Sequence, residues 1–496
     1  MKAFVKIKQF KIIIIPLFLA ITFFGAGNPK ERRFDSAIQD GRAGLVEFLK
    51  VSRIPGLSVA VAFQGKIIWS QAFGYADLEQ QVPVTTRTRF RLGSVSKIFT
   101  AAAVARLVQE GKLDLDASIQ RYVANFPDKG SAITTRQLSG HLAGIRHYQP
   151  KDLVHQIDFQ HYNTIQDSLK IFQDDPLLAP PGTAYAYSTF GYTLISRIVE
   201  QASGQDFLQY MQAGIFQPMG LKNTTADITE MIVPTRSRFY DRTSTGEVRN
   251  AAYVDSSYKW AGGGFLSTAE DLVLFGSKHL QPGFFKQETL NVLFSSQQTT
   301  DGKPTGVGMG WRIAEDHQKR RVFHHAGSIK GGRSVLVLYP DSGLVVALLS
   351  NLGETPPAVE QTALTLAAPF LEIEEKPSDK GKNFSGDYDY VVESTGLSNT
   401  GKISLRFSKG SYSGWMTTPK SLSEFARRTG LPVLDRVTIV SGKSVNEKGQ
   451  FAVASPAGLF LLELHRSNGQ ISGTITCPLG PKPAETKMRI TPEPGR

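Results

Sequence analysis

The feature that most constrains this chain is an apolar run at residues 98–108, which directly follows a serine and a lysine three positions apart. Only Thr100 and Arg106 interrupt the Ala, Val, Leu, Ile and Phe residues of this run. A helix that is apolar on nearly all sides lies inside a core, so the run predicts a buried central helix. Ser94 and Lys97 come just before it, and residues at i and i+3 share one helix face. The lysine amine can therefore reach the serine hydroxyl, which makes Ser94 a candidate nucleophile.

The Ser-x-x-Lys pattern is weak by itself. A second copy, Ser256-Ser257-Tyr258-Lys259, leads into three glycines, which disfavour an ordinary helix. We interpret these glycines as a tight loop beside a pocket. Ser94 and Lys97 alone would be explained as well by a helix start with a capping serine and a lysine that extends to solvent.

The N-terminus has the layout of a secretory signal peptide over residues 1–27. Four lysines precede an apolar run at 12–24, which ends in Gly25-Ala26-Gly27. The run is short for a membrane span of about 20 residues, which favours cleavage over the alternative of a membrane anchor. We therefore expect export to the periplasm or the extracellular space.

Charge and cysteine content limit the classes of partner. Loss of the four leader lysines lowers the formal net charge from +12 to +8, which suits association with an anionic envelope surface. No basic run is interleaved with aromatic residues, so a nucleic-acid partner is not expected. The single cysteine, Cys477, excludes an intrachain disulfide framework, and the nine histidines lack a metal-binding spacing.

The order of strand and helix patterns predicts an α+β fold. Two apolar runs at 57–63 and 66–72 read as a hairpin, and a second strand pair follows much later at 335–339 and 344–350. Helical patterns lie between, so we expect an antiparallel sheet flanked by helices, with strands from both ends and an inserted helical region. We assign this domain to 34–372.

The C-terminal part has a different pattern. A charged stretch at 373–383 contains Pro and Gly and is typical of a linker. From 384 to 496 short strand-like runs alternate with turn residues and helical periodicity disappears. We expect a small all-β appendage there.

Two further stretches supply partners for Ser94. One is Tyr187-Ser188-Thr189, preceded by Pro181-Gly182, and the other is His325-Ala326-Gly327-Ser328. With Ser94 and Lys97 they resemble the three boxes of the serine β-lactamase and penicillin-binding-protein superfamily: Ser-x-x-Lys, Tyr-x-Asn, and Lys-Thr-Gly or His-x-Gly. The resemblance covers roughly 45–370. It is strongest to the class C branch, with its esterases and D-aminopeptidases, and to the mitochondrial β-lactamase-like serine proteases.

The resemblance implies a β-lactamase/transpeptidase-like fold and a serine hydrolase that works through an acyl-enzyme on Ser94. Lys97 is the base that takes the serine proton, provided that burial lowers its pKa. Tyr187 passes the proton to the leaving group. The backbone N–H groups of Ser94 and Ser328 form the oxyanion hole.

Three residues are expected to bind substrate with Ser328. His325 would hold the substrate carboxylate or polarise Tyr187, and Gly327 would let the substrate backbone approach the strand. Thr189 stands where β-lactamases usually carry Asn, and its single hydroxyl is a poorer partner for a β-lactam amide. The third box has His325 where β-lactamases carry Lys, as in the esterase and peptidase members.

These departures favour a serine peptidase over the alternatives of an esterase or a β-lactamase. The expected substrate is a peptide or an ester, and no metal or organic cofactor is implied. A further alternative is a structural protein with weak catalysis that forms homo-oligomers or filaments, a property known in the mitochondrial branch.

Overall fold

The computed structural model describes most of the chain after the N-terminal segment. The described residues are 34–243, 245–353, 358–371, 384–392, 399–408, 410–445, 447–477 and 484–493. The signal peptide predicted at 1–27 and the linker predicted at 373–383 lie outside these residues. Both stay predictions, as do the domain bounds 34–372 and 384–496.

Twelve strands precede the predicted linker in the described residues. They are β1 Gly56–Phe63, β2 Lys66–Asp77, β3 Val82–Pro83, β4 Phe90–Arg91, β5 Thr225–Ala226, β6 Tyr240–Arg242, β7 Val248–Asn250, β8 Phe265–Ser267, β9 Arg312–Glu315, β10 Arg321–Ile329, β11 Gly332–Tyr339 and β12 Leu344–Ser350. Seven form an antiparallel sheet in the order β3-β2-β1-β12-β11-β10-β9. The pairing of β1 with β12 joins the early hairpin to the late strand pair, which confirms the predicted α+β architecture.

Helices cover both faces of this sheet. Those before the predicted linker are Asp35–Ser52, Ser96–Gln109, Thr135–Ser139, Pro150–Val154, Ile165–Leu169, Thr189–Ser203, Phe207–Tyr210, Gln217–Met219, Trp260–Gly263, Ala269–Ser277, Gln287–Phe294 and Ala358–Leu371. Along β1, Val59 and Val61 pack into one core and Ala60 and Ala62 into the other, because successive strand side chains point to opposite faces. The sheet is therefore buried on both sides.

The central helix Ser96–Gln109 lies in the core on the side of the inserted helices, as predicted. Its residues from Ser96 to Ala105 are all buried. Gly111 follows its C-terminus with φ 69°, a left-handed conformation that favours glycine. The predicted glycine therefore lies two residues beyond Gln109, directly after the C-cap residue Glu110.

The C-terminal appendage is a closed antiparallel barrel of eight strands. They are β13 Gly386–Val392, β14 Asn399–Ser408, β15 Ser411–Thr417, β16 Arg436–Val445, β17 Lys448–Ser455, β18 Gly458–Ser467, β19 Gln470–Cys477 and β20 Ala484–Pro492. Pairing of β13 with β20 closes the barrel, and side chains such as Tyr390 and Phe451 fill it. The barrel confirms the predicted β-rich appendage.

One helix in this region was not predicted. Lys420–Arg428 is helical between β15 and β16, and buried Ala426 packs there with partly buried Leu422. Two and a half turns give too few apolar repeats for the period to emerge from the surrounding strand pattern.

The barrel packs against the first and last helices that precede the predicted linker, Asp35–Ser52 and Ala358–Leu371. Thr438 Oγ1 donates to Glu47 Oε1 at 3.0 Å, and Thr365 Oγ1 donates to the carbonyl of Leu459 at 2.8 Å. Leu459 also joins the core beneath helices Asp35–Ser52 and Ala358–Leu371. Among the described residues, no helix is both long enough and apolar enough to cross a bilayer.

Candidate active site

Ser94 lies in a single 3₁₀ turn, Gly93–Val95, that joins β4 to the central helix. The turn needs glycine at position 93, where φ is 50°. A methyl group on Gly93 would also come within 3.0 Å of the backbone nitrogen of Ser328. The missing side chain therefore brings β10 directly against the serine.

Lys97 is fully buried in the first turn of the central helix. Its Nζ lies 3.1 Å from Ser94 Oγ, 3.1 Å from Thr189 Oγ1 and 2.7 Å from the Gly262 carbonyl oxygen. Burial, and then the positive charge of Arg312, hold the pKa of Lys97 well below its ordinary range. A neutral amine has two N–H donors, which serve Gly262 and Thr189, and its lone pair is left for the proton of Ser94.

Tyr187 approaches Ser94 from the other side. Its hydroxyl donates to Ser94 Oγ at 2.8 Å, and its ring lies 4.9 Å from Lys97 Nζ. Burial raises the pKa of the Tyr187 phenol, so the hydroxyl carries its proton at neutral pH. The three side chains predicted as catalytic therefore form one hydrogen-bond chain from Tyr187 through Ser94 to Lys97.

Thr189 forms part of the wall of this site. It begins helix Thr189–Ser203 and is almost fully buried, with its hydroxyl turned to Lys97. A methyl group on Gly262 would lie 2.6 Å from Thr189 Cγ2. Thr189 and Gly262 therefore pack closely against each other beside Lys97. Contact of Thr189 with substrate stays a prediction.

His325 is buried on β10, and its Nδ1–H donates to the carbonyl of Ala326 at 2.7 Å. Burial, and then the charge of Arg312, hold the pKa of His325 well below its ordinary range. The imidazole is therefore neutral, and its Nε2 is an acceptor. This state does not fit the expected role of holding a substrate carboxylate, and no hydrogen bond joins His325 to Tyr187 in the described part of the chain.

The structure shows a packing constraint at Gly327 that the sequence does not predict. A methyl group at this position would lie 1.8 Å from the carbonyl oxygen of Leu92 and 2.4 Å from Ser334 Oγ. The face of Gly327 on which a side chain would lie is thus occupied by the segment that leads into the nucleophile turn. The glycine makes room for Leu92, and the approach of a substrate backbone along the strand stays a prediction.

Ser328 lines a cavity of about 210 Å³ together with Ser94. Gly262 and Gly263 also line it, as the loop beside the pocket that the sequence predicted. The close approach of Gly93 to Ser328 brings the nucleophile turn and β10 together, as an oxyanion hole requires. The role of the Ser94 and Ser328 N–H groups as that hole stays a prediction.

Charged groups also line the cavity. Asp158 accepts from Lys330 Nζ at 2.9 Å and from Tyr258, and it lies 3.4 Å from Lys259 Nζ. Burial alone would raise the pKa of Asp158, but the charge of Lys259 and the hydrogen bonds from Tyr258 and Lys330 lower it to about 2. Burial lowers the pKa of Lys259 to about 8 although Asp158 opposes this.

A family model described as Beta-lactamase matches residues 34–369 of this chain. The chain belongs to the β-lactamase family. This family is one of serine hydrolases. The serine β-lactamase-like protein LACTB, mitochondrial, of Homo sapiens is 32% identical over 456 residues, with 71% of this chain and 82% of that protein covered. Penicillin-binding protein 4* of Bacillus subtilis is 27% identical, with 66% and 75% covered.

Solved structures of low sequence identity share the fold of this β-lactamase family member. The octameric penicillin-binding protein homologue from Pyrococcus abyssi aligns with a TM-score of 0.59 at 19% identity, covering 92% of this chain and 100% of that one. A D-stereospecific amidohydrolase from Streptomyces aligns with a TM-score of 0.55 at 23% identity, covering 64% and 94%.

Sequence reasoning missed several residues of the site. The sequence predicts that Gly262 lies beside the pocket, but it does not predict that the Gly262 carbonyl oxygen accepts a hydrogen bond from Lys97. Arg312 on β9 lies opposite His324 and lowers the pKa of both Lys97 and His325. Only the strand register shows that an arginine thirteen residues before His325, the start of the third box, belongs to the site.

His141 and His147 are further missed neighbours of Tyr187. Their rings lie 4.4 Å and 5.3 Å from the Tyr187 ring. Burial lowers the pKa of His147 to about 4, so this ring is neutral. No group of three or more His, Cys, Asp or Glu residues is arranged to hold a metal ion within the described ranges.

Proposed function

We propose that the chain is an exported serine hydrolase that forms an acyl-enzyme on Ser94, and that its substrates are peptides. The observation that carries this proposal is the hydrogen-bond chain from Tyr187 through Ser94 to Lys97, which ends on an amine whose pKa burial holds well below its ordinary range. Ester cleavage and β-lactam cleavage on the same scaffold are the alternatives that the experiment below separates.

In acylation, Ser94 Oγ attacks the substrate carbonyl while its proton moves to Lys97 Nζ. The N–H groups of Ser94 and Ser328 stabilise the oxyanion that forms. Tyr187 gives its proton to the leaving amine as the carbon–nitrogen bond breaks, and Lys97 returns the serine proton to the Tyr187 oxygen. The products are an acyl ester on Ser94, a free amine and a neutral lysine.

Deacylation runs the same steps with water in place of Ser94 Oγ. A water molecule gives its proton to the Lys97 amine and attacks the ester carbonyl. The ester bond to Ser94 breaks, and the serine oxygen takes up the proton. The acid product leaves and the hydrogen-bond chain is restored.

The preference for peptides is supported by Thr189 and His325. The hydroxyl of Thr189 is bound to Lys97, so it is a poorer partner for a β-lactam amide than a free Asn amide. His325 is neutral and cannot replace the cationic lysine of the β-lactamase box. Both differences weaken β-lactam binding more than binding of an extended peptide.

The first test is covalent labelling by a fluorophosphonate, followed by intact mass measurement. We expect one adduct per chain, located on the peptide with Ser94 and absent from Ser256, because the Ser256 hydroxyl is buried and has no hydrogen bond to a base among the described residues. The same spectrum reports whether residues 1–27 have been removed. Under native conditions it also counts the copies in any assembly, which we propose because the Pyrococcus abyssi homologue is octameric.

Three outcomes would contradict parts of this proposal. An unlabelled protein would favour the structural, self-assembling alternative over a hydrolase. Faster turnover of nitrocefin than of a peptide panel would overturn the choice of substrate. A mass that retains the leader would contradict cleavage and support a membrane anchor.

Tyr187→Phe is expected to affect substrates according to their leaving groups. An amine must be protonated as it leaves, so kcat/KM for a peptide amide should fall about hundredfold or more. A 4-nitrophenolate ion leaves without a proton, so the same variant should lose less than about tenfold on a 4-nitrophenyl ester. Initial rates on both substrates give the comparison.

Tyr185→Phe is the matched control for this variant. Tyr185 lies two residues away, is 43% exposed, and is not bonded to Ser94 or Lys97. Its variant should retain both rates within about twofold. Equal losses on amide and ester in Tyr187→Phe would show that Tyr187 does not protonate the leaving group.

A further inference from the structure

The second Ser-x-x-Lys pattern brings its lysine into the cavity of Ser94. The 3₁₀ turn Ser257–Lys259 places Lys259 on the cavity wall, and Lys330 follows the end of β10 on the same wall. Lys330 comes two residues after Ser328. We name Lys259 and Lys330 the lysine pair.

The lysine pair carries more positive charge than the nearby carboxylates balance. Both lysines contact one carboxylate, that of Asp158. The other acid on the cavity wall, Asp152, is held by two hydrogen bonds from Arg146 at 2.7 and 3.0 Å, and both side chains are buried. One positive charge of the pair is therefore unbalanced. An unbalanced charge in a partly enclosed site is costly unless an anion joins it.

Lys330 has the geometry to receive that anion. Its ammonium group has three donors, and Asp158 takes one of them. The side chain is 30% exposed, whereas that of Lys259 is only 8% exposed. Lys330 Nζ also lies 5.3 Å from the centre of the Phe159 ring, a cation–π contact that helps to hold the side chain.

The cavity lies on the acyl side of Ser94. Tyr187, which protonates the leaving group in the proposed reaction, is not among the residues that line it. The leaving group therefore departs on the Tyr187 side, and the acyl group enters the cavity towards Lys330. A volume of about 210 Å³ far exceeds the 10–15 Å³ that one water needs, so an acyl chain of several atoms fits.

We propose that the lysine pair binds a carboxylate at the far end of the acyl group, so that this enzyme prefers acyl groups that end in one negative charge. A single carboxylate balances the single excess charge, whereas a phosphate dianion would reverse it. The proposal rests on the proposed acyl-enzyme at Ser94. Lys330 is the specificity-determining contact, and Asp158 holds both ammonium groups in place.

The test compares two esters of the same shape that differ in one charge. They are the 4-nitrophenyl monoester of adipic acid and the corresponding ester of adipamic acid. In the wild type we expect kcat/KM for the adipate ester to be at least tenfold higher, as a charge-assisted hydrogen bond provides. Lys330→Met should lower this ratio about tenfold, mainly through KM, and Lys330→Arg should restore most of it.

Lys319→Met is the matched control, because it removes the same charge from a side chain that is 78% exposed in the β9–β10 turn. It should keep the wild-type ratio. A wild-type ratio near one, or an unchanged ratio in Lys330→Met, would overturn the proposal while fluorophosphonate labelling of Ser94 still upholds the proposed function. Failure to hydrolyse either ester, with no adduct on Ser94, would overturn both.

Discussion

Lys97→Met is expected to abolish acylation of Ser94, with a loss on the order of a thousandfold in the rate of fluorophosphonate labelling. Methionine keeps the buried aliphatic stem but removes the group that can take the proton of Ser94, and among the described residues no other such base lies within hydrogen-bond distance of its hydroxyl. Tyr187 cannot replace it, because burial raises the pKa of the phenol and keeps it protonated. The size follows the range for general-base catalysis.

Lys112→Met is the matched control for this variant. Lys112 follows the end of the central helix, is 53% exposed, and pairs with Glu110. Its variant should be labelled at the wild-type rate, with circular dichroism showing that both variants are folded. Labelling of Lys97→Met within tenfold of the wild type would remove Lys97 from the proposed mechanism.

The same variant reports the protonation state of Lys97 through stability. Burial places the pKa of Lys97 in the folded chain well below the value of about 10.4 for an unfolded lysine. Between these two values the unfolded chain binds the extra proton, so this group makes the free energy of unfolding rise with pH, by at most about 1.4 kcal/mol per unit. Below the folded pKa the contribution is constant. In urea titrations from pH 6 to 10, the free energy of unfolding of the wild type should rise relative to that of Lys97→Met. A difference that does not change with pH would contradict a neutral lysine.

Much of the architecture follows from local pattern. The hairpin of β1 and β2 and the pair of β11 and β12 are marked by runs of β-branched and leucine residues with turn residues between them. The central helix is marked by its apolar sequence, which only a core position explains. What local pattern cannot give is the pairing of β1 with β12 across almost 300 residues. The order of the elements predicts that strands from both ends share one antiparallel sheet, which the structure confirms, but it does not say which strands pair.

The site was predictable where residues act through their own chemistry and not where they act through position. Ser94, Lys97 and Tyr187 carry reactive groups in recognisable neighbourhoods, and the structure brings them together. The Gly262 carbonyl that orients Lys97 is 165 residues away and has no side chain to mark it. The neutral state of His325 depends on its burial, and the sequence pattern around a histidine near the start of a strand does not show whether that histidine is buried.

Gly327→Ala is expected to damage both activity and stability. The new methyl group would lie 1.8 Å from the Leu92 carbonyl oxygen, which also accepts a hydrogen bond from Ser334 Oγ. Relief of this overlap requires a shift of about 1 Å between β10 and the turn that holds Ser94. A misplacement of that size costs on the order of a hundredfold in rate, and overpacking costs about 1–3 kcal/mol of stability. Labelling rates and thermal unfolding measure the two effects.

Gly283→Ala is the matched control, because it adds a methyl group to a glycine without the overlap that Gly327→Ala creates with the Leu92 carbonyl oxygen. Gly283 is exposed and a methyl group there meets no atom within 4 Å, so both labelling and unfolding should match the wild type. If Gly327 served only to let a substrate backbone approach, Gly327→Ala would slow peptides but leave labelling by a small fluorophosphonate and the unfolding temperature unchanged. The contact with Leu92 predicts losses in both, because the strand and the nucleophile turn are fitted to each other before any substrate binds.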